Sequence, residues 1–194
     1  MSFKLNIPKR SMQLLLPSLP GTPPLSTPLP GSGDHVTHFA ELGQFYLTNV
    51  RGLEKMIPHM LPETHIISFV ELDFVLPIQE GNHHQCLLPD GIGGTEEMAK
   101  CIVEFVPPVL QWLREGLPVV VHCQEGISRS VTFATAVVMA WKHQNNEIMS
   151  PDDVIEYIHK LRVDPENPQR HLNKTEVKFC FMCELYHYYK TLIV

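Results

Sequence analysis

The stretch Val119-Val120-Val121-His122-Cys123-Gln124-Glu125-Gly126-Ile127-Ser128-Arg129-Ser130 decides how this chain folds. Three β-branched apolar residues in a row, Val119 to Val121, read as a buried strand. A cysteine follows, then a short loop holding Gly126. Val131 to Trp141 is long and apolar enough for a buried helix. A strand, a tight loop and a helix N-terminus together make an anion site. Backbone N–H groups point inward there, and the helix dipole favours negative charge.

Two side chains turn that anion site into a reactive one. A helix N-terminus and a neighbouring arginine both favour the thiolate of a cysteine. Cys123 therefore reads as a nucleophile. Arg129 carries a planar fork that grips two phosphate oxygens at once. A cysteine on a buried strand is more often a small hydrophobe, and a lone arginine more often a surface charge. The combination points to attack of sulfur on a bound phosphoryl group: strand before, glycine inside, Arg-Ser after, apolar helix behind.

Residues His122 to Ser130 resemble the signature loop of the protein tyrosine phosphatase superfamily, and their form is most similar to that of the dual-specificity phosphatases. The resemblance implies a single α/β domain, with a phosphatase-like central sheet flanked by helices and the site at the carboxyl end of the Cys123 strand. It implies two-step phosphomonoester hydrolysis that uses no metal or other cofactor. Cys123 attacks phosphorus, while Arg129 and the loop amides hold the equatorial oxygens. Ser130 bonds the sulfur and helps it leave when the cysteinyl-phosphate is hydrolysed. His122 orients the loop and favours the thiolate. Gly126 supplies a backbone angle that a side chain would forbid. Ser128 bonds within the loop or fills it. Gln124, Glu125 and Ile127 project toward substrate.

Asp90 is the second chemical candidate. Breaking a phosphoester expels an alkoxide or phenoxide, and a carboxylic acid over the leaving oxygen contributes roughly 10²–10⁴-fold. Gln85 to Leu88 reads as a strand and Pro89-Asp90-Gly91 as a turn. The superfamily carries its acid in such a loop, one crossover helix before the cysteine strand. Gly91, Gly93 and Gly94 would let the loop move over substrate. Asp90 could instead merely close the turn. Asp73 and Glu80 are the fallback acids, but neither has a strand-loop-helix setting.

Upstream, Phe45 to Asn49 reads as a short strand and is similar to the family's early aromatic-Leu-x-Asn segment. Leu53 to Leu61 suggests a short helix interrupted at Pro58. Thr64 to Val70 is β-rich and should be a central strand. The stretch from Asp73 to Asn82 is loop-like, with Phe74 to Leu76 as a candidate edge strand, and His83-His84 reads as an exposed loop pair. Thr95 to Gly116 should be the crossover helix, N-capped by Thr95, with Met98, Ile102, Phe105, Val109 and Trp112 on one face. Pro107-Pro108 predicts a kink or restart, since an interior proline costs about 3 kcal/mol. Ser150-Pro151-Asp152-Asp153 starts another helix. Val163 to Leu172 reads as a loop and Lys174 to Leu192 as a final aromatic-rich helix. Cys180-x-x-Cys183 with His187 lacks the second pair of a zinc site.

Residues 1–34 differ in composition. Pro17, Pro20, Pro23, Pro24, Pro28 and Pro30 punctuate Gly, Ser, Thr and Leu, and no acidic residue precedes Asp34. This reads as a Pro-rich disordered tail ahead of a catalytic domain spanning 35–194. Lys9 and Arg10 followed by Leu14, Leu15 and Leu16 resemble the basic-then-hydrophobic motif that docks on mitogen-activated kinases. A targeting segment is the rival reading, against which the prolines count.

The net charge of −6 argues against a nucleic-acid partner, and no apolar run reaches membrane-spanning length. Five cysteines, one of which must stay reduced, favour a reducing intracellular compartment, cytoplasmic or nuclear. The expected substrate is a phosphoprotein, with a shallow pocket that accepts phosphotyrosine, phosphoserine and phosphothreonine. Three rivals stand beside this. The same chemistry could act on an RNA 5′-triphosphate or a phosphoinositide, though both want a basic loop and Glu125 is acidic. The chain could be a phosphoprotein-binding module with little turnover. It could also be a rhodanese-like sulfur transferase, which the flanking His122 and Arg129-Ser130 disfavour.

Overall fold

The chain folds around β5 (Val119–Cys123), a strand buried at every position in the computed structural model, which describes residues 36–163 and 175–193. Val119, Val120 and Val121 are wholly inaccessible to solvent. Such a strand, apolar on both faces, needs strands on both sides and layers above and below. Its neighbours are β2 (Phe45–Asn49) and β3 (His65–Ser68), both parallel to it. β4 (His83–Gln85) adds a further parallel strand beyond β3, and β1 (Thr37–His38) pairs antiparallel with β2. Among the described residues this gives one mixed sheet of order β1-β2-β5-β3-β4.

The two faces of the sheet are covered unequally. One carries α2 (Thr95–Arg114), α3 (Arg129–Gln144), α4 (Pro151–Leu161) and α5 (Phe179–Ile193), whose buried side chains form a single apolar cluster with the sheet. Helix α3 is buried from Ser130 through Ala140. It is apolar all round because β5, α2, α4 and α5 surround it. The other face carries α1 (Val50–Met56) and the loop from Leu72 to Ile78, packed on Tyr46, Leu53, Ile66 and Val120. The architecture is the α/β sheet flanked by helices that the resemblance implied.

Several local expectations are corrected. The crossover helix does not restart at Pro107-Pro108; α2 is continuous through both. Those prolines leave the carbonyls of Val103 and Glu104 without helical donors. Both residues lie on the exposed side of the helix, where losing those bonds costs less than in the core. Thr95 is the first helical residue rather than the cap; its hydroxyl donates to the Ile92 carbonyl at 2.9 Å, and Gly94 takes the cap position. The strand before the acid loop is His83–Gln85, not 85–88, and 74–76 forms no strand. His83-His84 is thus a half-buried strand pair, with the His84 ring 5.0 Å from that of Trp112. The last helix starts at Phe179 rather than Lys174; residues 175–178 form no regular structure and are tied to the cysteine loop by the Glu176 N–H on the Ile127 carbonyl. The domain boundary at 34/35, the tail with Lys9, Arg10, Leu14 and Leu16, and most of the 163–172 loop lie outside the described residues.

Helix α4 starts as its sequence demands. The Ser150 hydroxyl accepts from the Asp153 N–H, and the Asp153 carboxylate accepts from the Ser150 N–H. Replacing Ser150 with Ala removes half of this reciprocal cap. The expected loss is about 1 kcal/mol of unfolding free energy, read as a lower urea midpoint with an unchanged m-value; an unchanged midpoint would show that the cap is idle.

Candidate active site

The carboxyl ends of β2, β5 and β3 point to the same end of the sheet, and the loop from Gln124 to Ser128 leaves β5 there to enter α3. The path of this loop depends on Gly126. Its φ is +68°, and a Cβ there would lie 3.0 Å from the backbone of Thr48. Both the backbone angle and the close approach exclude a side chain. From below, the corner between β2 and α1 buttresses the loop. Asn49 pairs in register with Cys123 and caps α1 by accepting from Gly52 N at 2.7 Å, and the Val50 N–H donates to the Gln124 carbonyl at 3.4 Å.

The sulfur of Cys123 lies at the base of this loop. It accepts from the Gly126 N–H at 3.2 Å and sits 3.1 Å from the Ser130 hydroxyl. The first turn of α3 has no side-chain cap, which leaves its amides for an anion. The buried Ser128 hydroxyl has no hydrogen-bond partner among the described residues and lines the cleft.

Arg129 closes the far side. One guanidinium nitrogen donates to the carbonyls of Phe69 and Leu88, both at 3.1 Å. These carbonyls follow β3 and precede Pro89-Asp90, so the arginine ties its own loop to two others. Its buried Nε has no hydrogen-bond partner among the described residues and lies 4.0 Å from the Asp90 carboxylate. The structure therefore brings Cys123, Arg129, Ser130 and Asp90 to one place. Glu125, Ile127 and Ser128 line the same cleft of about 170 Å³. That is below the roughly 300–1,000 Å³ of sites for drug-sized ligands, and it suits a phosphoryl group and the first atoms bearing it. Gly126 is buried beneath it, and Gln124 is exposed and does not line it.

Gly94 has a packing role in the acid loop. A Cβ there would sit 2.1 Å from the Pro89 carbonyl oxygen, so Gly94 lets the acid loop pack tightly on itself. Gly91, with φ +142°, turns the chain directly after Asp90. Asp73 and Glu80 are absent from the residues lining the cleft.

Three contributors were not legible in the sequence. Lys178, just before α5, donates to the Asp90 carbonyl at 3.0 Å and contacts its carboxylate at 3.1 Å. Glu176 lines the cleft, held by its N–H to the Ile127 carbonyl at 3.1 Å. Arg162 is fully buried, with Nε donating to the Thr37 hydroxyl at 3.0 Å. Burial pulls its pKa down to about 10, against the attraction of the nearby Cys123 sulfur. An exposed lysine in a loop and an arginine ending a helix carry no spacing signal that marks them.

His122 is wholly buried next to the nucleophile. Its Nε2 is 2.5 Å from the Ser68 hydroxyl, which also meets His83 Nε2 at 2.7 Å. Burial, and secondarily the proximity of His83, pushes the His122 pKa down to about 3. The ring is neutral at physiological pH and holds the loop by hydrogen bonding rather than by charge.

Comparison with known proteins agrees with this geometry. The protein-tyrosine phosphatase family model matches residues 92–186, a segment that includes the whole cysteine loop. Human DUSP28 is similar in structure, with a TM-score of 0.59 and 17% identity over 87% of this chain and all of that one. OH1 from the Orf virus, a tyrosine phosphatase described as having triple substrate specificity, gives 0.58 at 18% identity over 87% of this chain and 91% of its own. A human tyrosine phosphatase-like serine/threonine/tyrosine-interacting protein gives 0.57 at 18% over 78% and 94%. No curated protein sequence matches. At such identities the structural likeness is one of fold; the family model adds the sequence of the loop. The fold and loop define a cysteine-based phosphatase architecture. Residues 92–186 of this chain match the protein-tyrosine phosphatase family, and the described residues share the fold of dual-specificity phosphatases such as DUSP28.

The depressed His122 pKa has a consequence for stability. The unfolded chain takes up a proton on this histidine below about pH 6.5, while the folded chain refuses it down to about pH 3. Stability is therefore full above pH 6.5 and falls as the pH drops below it, by up to about 1.4 kcal/mol per unit for this one group. His65, His83 and His84 are shifted the same way, chiefly by burial. Urea midpoints between pH 7.5 and 5 should decline with acid, and less steeply in His122→Asn; equal slopes would contradict the assignment.

Proposed function

We propose that this protein hydrolyses phosphomonoesters on proteins, both phosphotyrosine and phosphoserine or phosphothreonine, through a cysteinyl-phosphate intermediate. The observation that carries the reading is the meeting of the Cys123 sulfur, the Arg129 guanidinium and the Asp90 carboxyl in one small cleft at the N-terminus of α3. In the first step the Cys123 thiolate attacks phosphorus and the P–O bond to the leaving group breaks. The loop amides and the Arg129 guanidinium hold the equatorial oxygens as charge redistributes on them. Asp90, in its acid form, gives its proton to the leaving oxygen. In the second step the Asp90 carboxylate takes a proton from water as that water attacks phosphorus. The S–P bond then breaks, and the Ser130 hydroxyl, 3.1 Å from the sulfur, stabilises the departing thiolate.

The rim supports a protein substrate. Glu125 and Glu176 are carboxylates at the cleft, and they repel a polyphosphate or phosphoinositide headgroup more than a single phosphorylated side chain. Ile92 and Phe179, next to the acid loop and to Lys178, are 86% and 84% exposed. Large apolar side chains left in water so near in sequence to cleft residues suit contact with a polypeptide. The small size of the cleft supports acceptance of short and aromatic phosphorylated side chains alike. Docking of mitogen-activated kinases on Lys9, Arg10, Leu14 and Leu16 belongs to this proposal, resting on sequence alone.

Steady-state release of phosphate from phosphotyrosyl and phosphothreonyl peptides tests it, with an RNA 5′-triphosphate and a phosphoinositide as comparison substrates. Wild type should favour the peptides, Cys123→Ser should abolish release, and Asp90→Asn should slow it by roughly 10²–10⁴-fold. Turnover that survives Cys123→Ser would end the mechanism. Tight binding of phosphopeptide by wild type without release of phosphate would make the chain a binding module instead.

A further inference from the structure

We infer that Lys178 is a positioning residue for the proposed acid, holding Asp90 over the cleft and stabilising the charge that appears on it. The inference rests on the phosphatase reading above and goes beyond it by naming a residue from outside the loop, acid-loop and sheet segments that carry the chemistry. Lys178 makes two contacts to one residue, to the Asp90 backbone carbonyl at 3.0 Å and to its carboxylate Oδ2 at 3.1 Å. A main-chain contact fixes where the loop lies, and a side-chain contact fixes where the carboxyl points. Neither depends on the other, so the ammonium holds the loop even while Asp90 carries its proton.

The placement of Lys178 is itself determined. The preceding residues are tied to the cysteine loop by the Glu176 N–H bond to the Ile127 carbonyl at 3.1 Å. The following residues enter α5, which is anchored in the core by Phe181 and Leu185, both fully buried. Thus the acid loop is held on one side by Arg129, through the Leu88 carbonyl, and on the other by Lys178. The charge logic follows the reaction. As Asp90 surrenders its proton, negative charge grows on a carboxyl already beside an ammonium, which favours the transition state over the ground state. Asp90 Oδ1 faces Arg129 Nε at 4.0 Å, so the two oxygens are oriented by different cations. Lys178 is partly exposed, its side chain 45% accessible, so its effect is discounted for screening.

The test is a double-mutant cycle of Lys178→Met and Asp90→Asn, measured on para-nitrophenyl phosphate and on an alkyl phosphate whose leaving group is far more basic. Lys178→Met should lower kcat by about tenfold on the alkyl ester, the size of one partly exposed charge-assisted contact. It should lower kcat less on the nitrophenyl ester, which needs little protonation, and leave KM and inhibition by tungstate nearly unchanged. In the Asp90→Asn background the same substitution should cost nothing further, and Lys178→Arg should restore most of the loss. Thermal midpoints of all variants separate these effects from unfolding.

Additive losses, or weakened tungstate inhibition with a raised KM, would overturn the inference and make Lys178 a direct substrate contact. A Lys178→Met enzyme indistinguishable from wild type would also overturn it, while leaving the phosphatase reading intact provided Asp90→Asn is impaired. Unimpaired Asp90→Asn would remove both the acid and its positioner.

Discussion

The structure depends on one sharp constraint: β5 must end, reverse and become α3 within the span of Gln124 to Ser128. Gly126 makes the reversal at positive φ, pressed against the backbone of Thr48 and Asn49. Several polar groups of the turn and of the helix it enters then face one point. The sulfur accepts from Gly126, the uncapped turn of α3 presents its amides, and Arg129 arrives as the first residue of the helix. The cost of a buried thiol, a buried histidine and a nearly buried guanidinium is offset by the apolar layers on both sides. A strand buried on both faces and a helix buried all round are what hold a reactive loop still.

This constraint explains which parts of the molecule could be read from the chain. The cysteine loop was legible because its chemistry is local: Cys123, Gly126, Arg129 and Ser130 lie on consecutive elements, so their spacing in sequence is their geometry. The capping box at Ser150 was legible for the same reason. Asp90 was approachable because a Pro-Asp-Gly turn has a local signature, although the strand before it was placed too late in the chain. Lys178, Glu176 and Arg162 were not legible. Each acts across a long loop of the chain, and nothing in the spacing of a lysine before an aromatic helix says that it will meet an aspartate 3.1 Å away. Pro107-Pro108 misled for a physical reason. The rule counts the lost hydrogen bonds as if they were buried, whereas here the orphaned carbonyls belong to exposed residues.

The electrostatics of the site divide into fixed and mobile parts. Arg129 and Arg162 are buried or nearly so; Arg129 donates to the carbonyls of Phe69 and Leu88, and Arg162 donates to the hydroxyl of Thr37 among other contacts. The carbonyls that hold Arg129 fix its guanidinium beside the cup without adding a second carboxylate to the one at Asp90. The histidine beside the nucleophile is also neutral, hydrogen-bonded to Ser68, so the loop is oriented without adding a charge that acid or base could switch. At the rim, by contrast, Asp90 and Lys178 are partly exposed and paired with each other. Motion of the acid loop, where it occurs, therefore acts on the rim and not on the cup.

The central claim is that the Cys123 loop is a phosphate cup whose base is a nucleophilic sulfur. A crystal structure with orthovanadate bound tests it most directly, since vanadate takes the five-coordinate geometry of phosphoryl transfer. The account predicts vanadium bonded to the Cys123 sulfur, with its equatorial oxygens on the loop N–H groups and on Arg129, and with its apical oxygen facing Asp90. Vanadate held elsewhere, or a cup that leaves the sulfur unligated while the oxyanion sits on the rim, would contradict it.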